Sequence, residues 1–274
     1  MLLPRISTGI IGAALILGSI FFGGLPFLFI VLGIVMLGVR EFYYLAGETG
    51  YPSYPGIGLA ASVLVVLSVF LNGVSFGQVT DNQTTSALLG LIMILIVSRS
   101  LAKGPRDTSL SEWGVTLLGI FYVAWSLSHL LLIRDLRPGG REITFLLFSL
   151  VWMEDTAAYF VGMRWGRHKI APSISPKKSW EGTLAGLMAA AGVAVAFQMS
   201  VLRPYLRLGE SVGLALIVGV LAFVSDLGES VLKRGAGIKD SSQLLPGHGG
   251  VLDRFDSFLL TAPFYYYYWA FLKH

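Results

Sequence analysis

The residues best suited to chemistry gather in one polar stretch, Ser230 to Asp256, which lies between two long apolar runs. Basic side chains and glycine backbone suit phosphate oxygens, whereas carboxylates suit a hard cation such as Mg²⁺. A stretch that carries both predicts phosphoryl chemistry at a membrane surface. Its candidate catalytic and binding residues are Ser230, Lys233, Arg234, Lys239, Asp240, His248, Gly249, Gly250, Asp253, Arg254 and Asp256.

Three carboxylates of this region are spaced as metal ligands would be. Asp226, Ser230 and Lys233 are four and three residues apart, so one helix face carries all three. Asp253 and Asp256 are three apart where the next apolar run begins. Three carboxylates meeting from two helix ends require a cation, because like charges at short range repel. We expect Asp226, Asp253 and Asp256 to bind Mg²⁺, with room for a second cation. The alternative for the last two is interaction with a helix amino end and with Arg254.

A further carboxylate lies inside a membrane-length segment. Asp155 and Tyr159 are four residues apart and share a helix face. A carboxylate in a membrane helix is costly, so it usually faces a polar cavity or a partner. Asp155 and Tyr159 are therefore candidate substrate-binding residues, and a simple ion pair is the alternative for Asp155. Gly162 and Gly166 have the spacing that lets two helices approach closely.

A second basic loop runs from Ser175 to Gly182, just before another apolar run. Hydroxyl and ammonium groups at a helix start can hold an anion, because the first N–H groups of a helix are unpaired. An ordinary basic loop, or one that binds anionic lipid headgroups, is the alternative. The candidate substrate-binding residues here are Lys177, Lys178, Ser179 and Glu181.

Composition decides which elements must position these residues. Of 274 residues, 54% are hydrophobic and 13% are charged, against about 25% charged in a soluble domain. The chain has no cysteine, which excludes disulfides and thiolate chemistry. We therefore expect an all-α, polytopic integral membrane protein, since crossing the hydrocarbon takes about 20 apolar residues per helix. About nine segments qualify as membrane helices: 7–24, 26–46, 56–73, 85–102, 112–134, 142–163, 183–202, 211–233 and 255–272.

The basic residues set the expected orientation. An inner amino terminus places 14 of the 20 lysines and arginines on the inner side, as the positive-inside rule requires. Polar residues enter the membrane-length segments mainly after residue 140. We expect residues 1–140 to be a scaffold, a lipid-access wall or a homodimer interface, and residues 141–274 to carry the chemistry. The aromatic run Tyr265–Tyr268 with Trp269 is expected to anchor the last helix at the interface.

The carboxyl-terminal stretch resembles the signature of the phosphatidate cytidylyltransferases, also called CDP-diacylglycerol synthases. Serine, Lys-Arg, Lys-Asp, Pro-Gly-His-Gly-Gly and Asp-Arg-apolar-Asp follow one another at the family's spacings. The Ser-Pro-Lys-Lys-Ser-x-Glu-Gly run and the Asp155-x-x-Ala158-Tyr159 run resemble two further blocks of that family. The first half of the chain matches in hydropathy alone. The signature positions here are Ser230, Lys233, Arg234, Lys239, Asp240, Ser242, Leu245, Pro246, His248, Gly249, Gly250, Asp253, Arg254 and Asp256.

The resemblance implies that CTP and phosphatidic acid react, with Mg²⁺, to give CDP-diacylglycerol and pyrophosphate. It further implies phosphate binding by the basic residues, help from His248, and a multi-pass protein of the cell inner membrane whose active site faces the cytoplasm. No nucleic-acid partner is expected. Two alternatives are a CTP-using enzyme with another lipid, such as an ether lipid or a polyprenol, and a transporter with an intramembrane cation site. Against the transporter alternative, this sequence lacks the internal repeat that is common in transporters.

Overall fold

The computed structural model describes residues 3–76, 82–242, 244 and 249–272. Helices dominate, and the described ranges include one two-stranded hairpin. The helices are α1 (Leu3–Phe22), α2 (Gly24–Glu48), α3 (Pro55–Phe76), α4 (Asn82–Lys103), α5 (Ser109–Gly119), a π-helical segment (Ile120–Trp125), α6 (Ser126–Asp135), α7 (Gly140–Trp165), α8 (Trp180–Ser200), α9 (Leu208–Gly235), α10 (Leu252–Phe255) and α11 (Phe258–Leu272).

The helices confirm the expected polytopic, all-α class. Within the described ranges, six helical runs are long and apolar enough to cross a membrane, and two shorter apolar helices lie in α1 and α3. One of the six is the continuous run Ser109–Asp135, which joins α5, the π-helical segment and α6. Eight of the nine segments expected from the sequence fall on helices of this set, and the ninth, 255–272, falls mainly on α11. The protein is therefore a multi-pass membrane protein.

The first two helices form the tight hairpin expected from the Gly-Gly-Leu-Pro break. Gly23 and Gly24 have φ angles of 65° and 52°, a left-handed conformation that glycine adopts without steric cost. The Arg134 side chain of α6 lies over this turn, where its Nε donates to the Ile20 carbonyl at 2.6 Å. A Cβ on Gly23 would lie 2.7 Å from that guanidinium. The turn thus ties α1 to α6.

Most residues of the largest buried core come from α2, α6, α7, α9 and α11. The last helix was expected to use its aromatic run at the interface, and for two residues this was wrong. Tyr265 and Trp269 are fully buried, and the Tyr265 hydroxyl donates to the Ile143 carbonyl of α7 at 2.9 Å. Residues four apart share a helix face, so these two extend the inner stripe that Phe258 begins. Tyr267, on another face, is 39% exposed.

Glycines bring α7 and α8 together. A Cβ on Gly182 would lie 2.7 Å from the Ala158 carbonyl and 3.1 Å from the Gly162 Cα, and one on Gly186 would lie 2.8 Å from the Glu154 carbonyl. The close approach expected from Gly162 is confirmed. Between the two helices, β1 (Lys169–Ala171) and β2 (Ser175–Ser179) form an antiparallel pair. The hairpin was not expected from the sequence, and it places β2 immediately before α8.

Candidate active site

An ion-paired lysine lies at the centre of the polar stretch. Lys233, in the last turn of α9, is 8% exposed. Its Nζ lies 2.7 Å from Asp253 Oδ1 in α10 and also pairs with Glu229, one turn earlier in α9. Glu229 is fully buried, and among the described residues its Oε1 has no hydrogen-bond partner. Two acids therefore share one buried ammonium where α9 meets α10.

The second oxygen of Asp253 organises the loop between these helices. Oδ2 accepts hydrogen bonds from the Ser241 N–H at 2.9 Å, the Ser241 hydroxyl at 3.0 Å and the Gly250 N–H at 2.7 Å. Burial raises the pKa of Asp253, but Lys233 and these donors outweigh it and hold the pKa below its usual value. The Asp253 carboxylate is thus a fixed anion at neutral pH.

A glutamate from α2 holds both ends of the same loop. Glu41 Oε2 accepts from the Ser241 hydroxyl at 2.8 Å and the Leu252 N–H at 2.7 Å. Its Oε1 accepts from the Ser242 hydroxyl at 2.6 Å and the Val251 N–H at 3.0 Å. The Glu41 residue is 5% exposed. One buried carboxylate therefore links residues 241–242 to residues 251–252, across the segment that contains His248.

Asp226 has a different cation as its partner. The Lys178 ammonium, at the end of β2, lies 2.8 Å from Asp226 Oδ2 and 4.4 Å from the centre of the Phe223 ring. Ser230 donates to Asp226 Oδ1 at 3.4 Å, so the predicted face of Asp226 and Ser230 is confirmed. The basic loop before α8 therefore reaches the polar end of α9.

Asp256 and Asp155 lie near the Lys233 and Lys178 ion pairs. Together with the other acids of this region they form a group that we call the acid belt: Glu154, Asp155, Asp226, Glu229, Asp253 and Asp256. Asp256 is 9% exposed, its Oδ1 accepts from the Ser257 N–H at 2.7 Å, and it interacts electrostatically with Asp226, Glu229 and Asp155. Asp155 in turn interacts with Asp226, Lys178 and Arg254. The structure thus brings Asp155 and Arg254 to the same site. Tyr159 is 60% exposed and packs edge-on against Phe160.

Several other predicted site residues have structural partners. The Ser179 hydroxyl caps α8 by accepting from the Gly182 N–H at 3.2 Å. Glu181 accepts from the backbone N–H of His168 and lies 2.6 Å from its ring. Arg234 donates to the carbonyls of Ile174 and Ile238, both at 3.1 Å. These bonds hold the hairpin and the end of α9 in place, and substrate contact by these side chains stays a prediction.

The remaining predicted residues surround the loop. Lys177, Lys239 and Asp240 are exposed, and the last two line a cavity beside α2. Gly249 has a φ of 80°, and a Cβ there would lie 2.7 Å from Asp253 Oδ2. A Cβ on Gly250 would overlap the Ser241 hydroxyl and the Glu41 carboxylate. Both glycines are therefore needed for the loop to pass this close to two carboxylates. His248 lies outside the described residues, with Leu245, Pro246 and Gly247.

Carboxyl groups outnumber basic groups here, which suits a bound cation. The six acids are Glu154, Asp155, Asp226, Glu229, Asp253 and Asp256, and the three bases are Lys178, Lys233 and Arg254. In the described part of the chain, no three acidic or imidazole groups converge as ligands of one ion. Lysines pair with Asp226 and Asp253 instead. The donor chemistry fits Mg²⁺, and the ligand set Asp226, Asp253 and Asp256 stays a prediction.

Two contributors were not among the candidates from the sequence. Glu229 lies three residues after Asp226 and four before Lys233, so its place on that face was readable from spacing. Glu41 is an acid five residues inside the second apolar segment, 26–46, which by itself marks it as unusual. Its partners are 200 or more residues away in sequence, so spacing could not identify them.

Comparison with known proteins agrees with this geometry. The model of the cytidylyltransferase family matches residues 3–272. The chain is 32% identical to a phosphatidate cytidylyltransferase of Synechocystis sp., over 96% of this chain and 95% of that protein. It is also 32% identical to the Bacillus subtilis protein of the same name, over 96% of each, and 29% identical to that of Staphylococcus epidermidis, over 94% and 95%. Because the match runs the length of the chain and includes every element of the site, the chain belongs to the cytidylyltransferase family.

Proposed function

We propose that the chain transfers the cytidylyl group of CTP to phosphatidic acid, at the inner ends of α7, α9 and α10. The full-length match to phosphatidate cytidylyltransferases supports this most strongly. A phosphate oxygen of phosphatidic acid attacks the α-phosphorus of CTP. The new P–O bond forms as the bond to the β-phosphate breaks, and pyrophosphate leaves with that electron pair. The products are CDP-diacylglycerol and pyrophosphate.

The chemistry needs positioning and charge stabilisation rather than a covalent enzyme intermediate, because the lipid phosphate is already a nucleophile. Lys177, Lys178, Lys233, Arg234 and Lys239 would reduce the repulsion between the two polyanions. Lys233 and Lys178 are the best placed, since acidic partners fix both ammonium groups beside the acid belt. The backbone around Gly249 and Gly250 would approach the triphosphate of CTP. His248 would assist there.

Mg²⁺ is the cofactor we propose, with Asp226, Asp253 and Asp256 as the residues that would hold it and room for a second cation. Bound there, the ion would neutralise charge on the phosphates. The acid belt around Asp256 and Asp155 supplies oxygen donors in excess of the local cations. Asp155 and Arg254 would orient the lysines and the substrate phosphate.

We further propose that the active site faces the cytoplasm from the cell inner membrane. The basic loop before α8 and the polar stretch after α9 lie on one side, the side with most basic residues. Residues 141–274 would carry the chemistry. Residues 1–140 would form the scaffold and a homodimer interface, with Glu41 as their contribution to the site.

The deciding experiment supplies the detergent-solubilised chain with CTP, Mg²⁺ and phosphatidic acid and measures both products. We expect CDP-diacylglycerol and pyrophosphate in equal amounts, with much slower reaction of polyprenyl phosphate or an ether lipid.

Asp253→Asn should lower kcat at least about 100-fold, as does loss of a preorganised electrostatic group. Asp107→Asn, in an exposed turn on the same side, is the control. Product formation that is unchanged in Asp253→Asn would remove Asp253 from the site, and no cytidylyl transfer by the unaltered chain would refute the function.

A further inference from the structure

A cavity of about 600 Å³ lies between α2 and the start of the polar stretch. One wall comes from α2 and includes Arg40, Glu41 and Tyr44. The opposite wall comes from residues 238–242 and 244. Its volume is in the range of small-molecule pockets, about 300–1,000 Å³. It therefore has room for a ligand the size of a nucleotide.

Besides the apolar side chains of Leu37, Ile238 and Leu244, the lining has basic, acidic and aromatic groups. Arg40 and Lys239 supply positive charge, Asp240 supplies a carboxylate, and the Tyr44 ring is 53% exposed. A lipid phosphate has neither an aromatic face to meet the Tyr44 ring nor an amino group to donate to the Asp240 carboxylate. A cytidine nucleotide offers more: an aromatic face, amino and hydroxyl donors, and anionic phosphates. The mixture of ring, acid and bases thus matches a nucleotide better than a phospholipid headgroup.

The cavity also adjoins the acid belt through a single residue. Ser241 lines the cavity, and its hydroxyl bonds to Glu41 at 2.8 Å and to Asp253 at 3.0 Å. A nucleotide in the cavity could therefore extend its phosphates past Ser241 to Asp253 and Lys233. The side of the belt formed by Asp155 and Lys178 is then left for the lipid phosphate.

We propose that the cavity between α2 and residues 238–242 binds the cytidine end of CTP, with the Tyr44 ring against the base and Arg40 and Lys239 beside the phosphates. This inference rests on the proposed function and adds the location of the bound nucleotide. It gives α2, in the half of the chain expected to be scaffold, a direct part in substrate binding. Glu41 is then a positioning residue, since its hydrogen bonds hold the opposite wall.

The test measures KM for each substrate in Tyr44→Ala and Tyr44→Phe. Loss of the ring should raise KM for CTP about tenfold, the size of a lost base–aromatic stack, with KM for phosphatidic acid unchanged. Tyr44→Phe keeps the ring, so its KM for CTP should equal that of the unaltered chain. Tyr51→Ala removes a tyrosine that is 59% exposed in the turn after α2 and serves as the control.

Direct binding separates this inference from the proposed function. Equilibrium binding of radiolabelled CTP to the solubilised full chain should weaken about tenfold in Tyr44→Ala and in Arg40→Gln. Arg99→Gln, which changes an exposed arginine of α4, should bind as the unaltered chain does. Unchanged CTP affinity in both cavity variants, or a rise in KM for phosphatidic acid alone, would overturn the inference while cytidylyl transfer by the unaltered chain still stands.

Discussion

Near the carboxyl end of α9, oppositely charged side chains lie in pairs. Lys233 pairs with Glu229 and Asp253, and Lys178 pairs with Asp226. The side chains of Lys233, Glu229 and Asp253 are buried, and removing one member of such a buried pair leaves the other uncompensated, which costs about 3–5 kcal/mol. Under the proposed function, catalysis would depend on the residues that stabilise this end of α9, so variants must be judged on both activity and stability.

Glu41 offers the sharpest test at this scale. Its carboxylate accepts four hydrogen bonds from the loop, two on each oxygen. Glu41→Gln replaces one acceptor oxygen with an amino group that faces donors. Because hydrogen bonds to a charged group are worth about 1.5–3 kcal/mol, we expect thermal unfolding at a lower temperature and weaker CTP binding. Glu41→Asp keeps the charge, so its unfolding temperature and CTP affinity should lie between those of Glu41→Gln and of the unaltered chain.

Glu48→Gln, at the exposed end of α2, is the matched control for Glu41→Gln. It should leave both the unfolding temperature and CTP binding unchanged. Wild-type CTP affinity in Glu41→Gln would show that the loop keeps its shape without this carboxylate.

Among the elements, the contact between α7 and α8 decides whether the two basic loops can share a site. Glu154 and Asp155 come from α7, and Lys178 lies in β2, two residues before α8. The glycines at the contact let the helices lie close enough for Asp155 and Lys178 to interact. A wider spacing would move Lys178, the ion-pair partner of Asp226, away from the acid belt.

Gly182→Ala should widen that spacing. The new Cβ would lie 2.7 Å from the Ala158 carbonyl, which is backbone and cannot turn aside. We expect a loss of about 1–3 kcal/mol, as for overpacked cores, together with lower turnover. Thermal unfolding in detergent and the CTP assay measure the two effects.

Gly192→Ala, in the same helix, has nothing within 4 Å of its new Cβ and gains the same helix propensity. It should be as stable as the unaltered chain or more so. Equal behaviour of the two alanine variants would contradict a packing role for Gly182.

For the whole molecule, the proposed orientation can be tested because the chain has no cysteine. A single cysteine at exposed Ser173, in the hairpin loop, should react with a membrane-impermeant maleimide in inside-out vesicles and not in intact cells. A cysteine at exposed Arg203, between α8 and α9, should show the reverse. The parent chain is the unlabelled control. Labelling of both positions from one side would contradict the crossing of α8.

Much of this protein could be predicted from the order of its residues. Nine apolar segments, a polar stretch after α9 and the shared face of Asp226 and Ser230 are local properties, since helix length and i, i+4 spacing depend on near neighbours. The family signature is local as well, because its residues lie within one loop and the two helix ends beside it. Class, membership and most candidate residues followed from these patterns.

The tertiary structure decided what those patterns leave free, namely which distant residues meet. It brought Glu41 to a loop 200 residues away, placed Lys178 on Asp226, and turned Tyr265 and Trp269 inward rather than to the interface. The physical reason is packing. Pairing across the bundle depends on which helix faces approach and at what distance, and buried charges then take the nearest partner that offsets their desolvation.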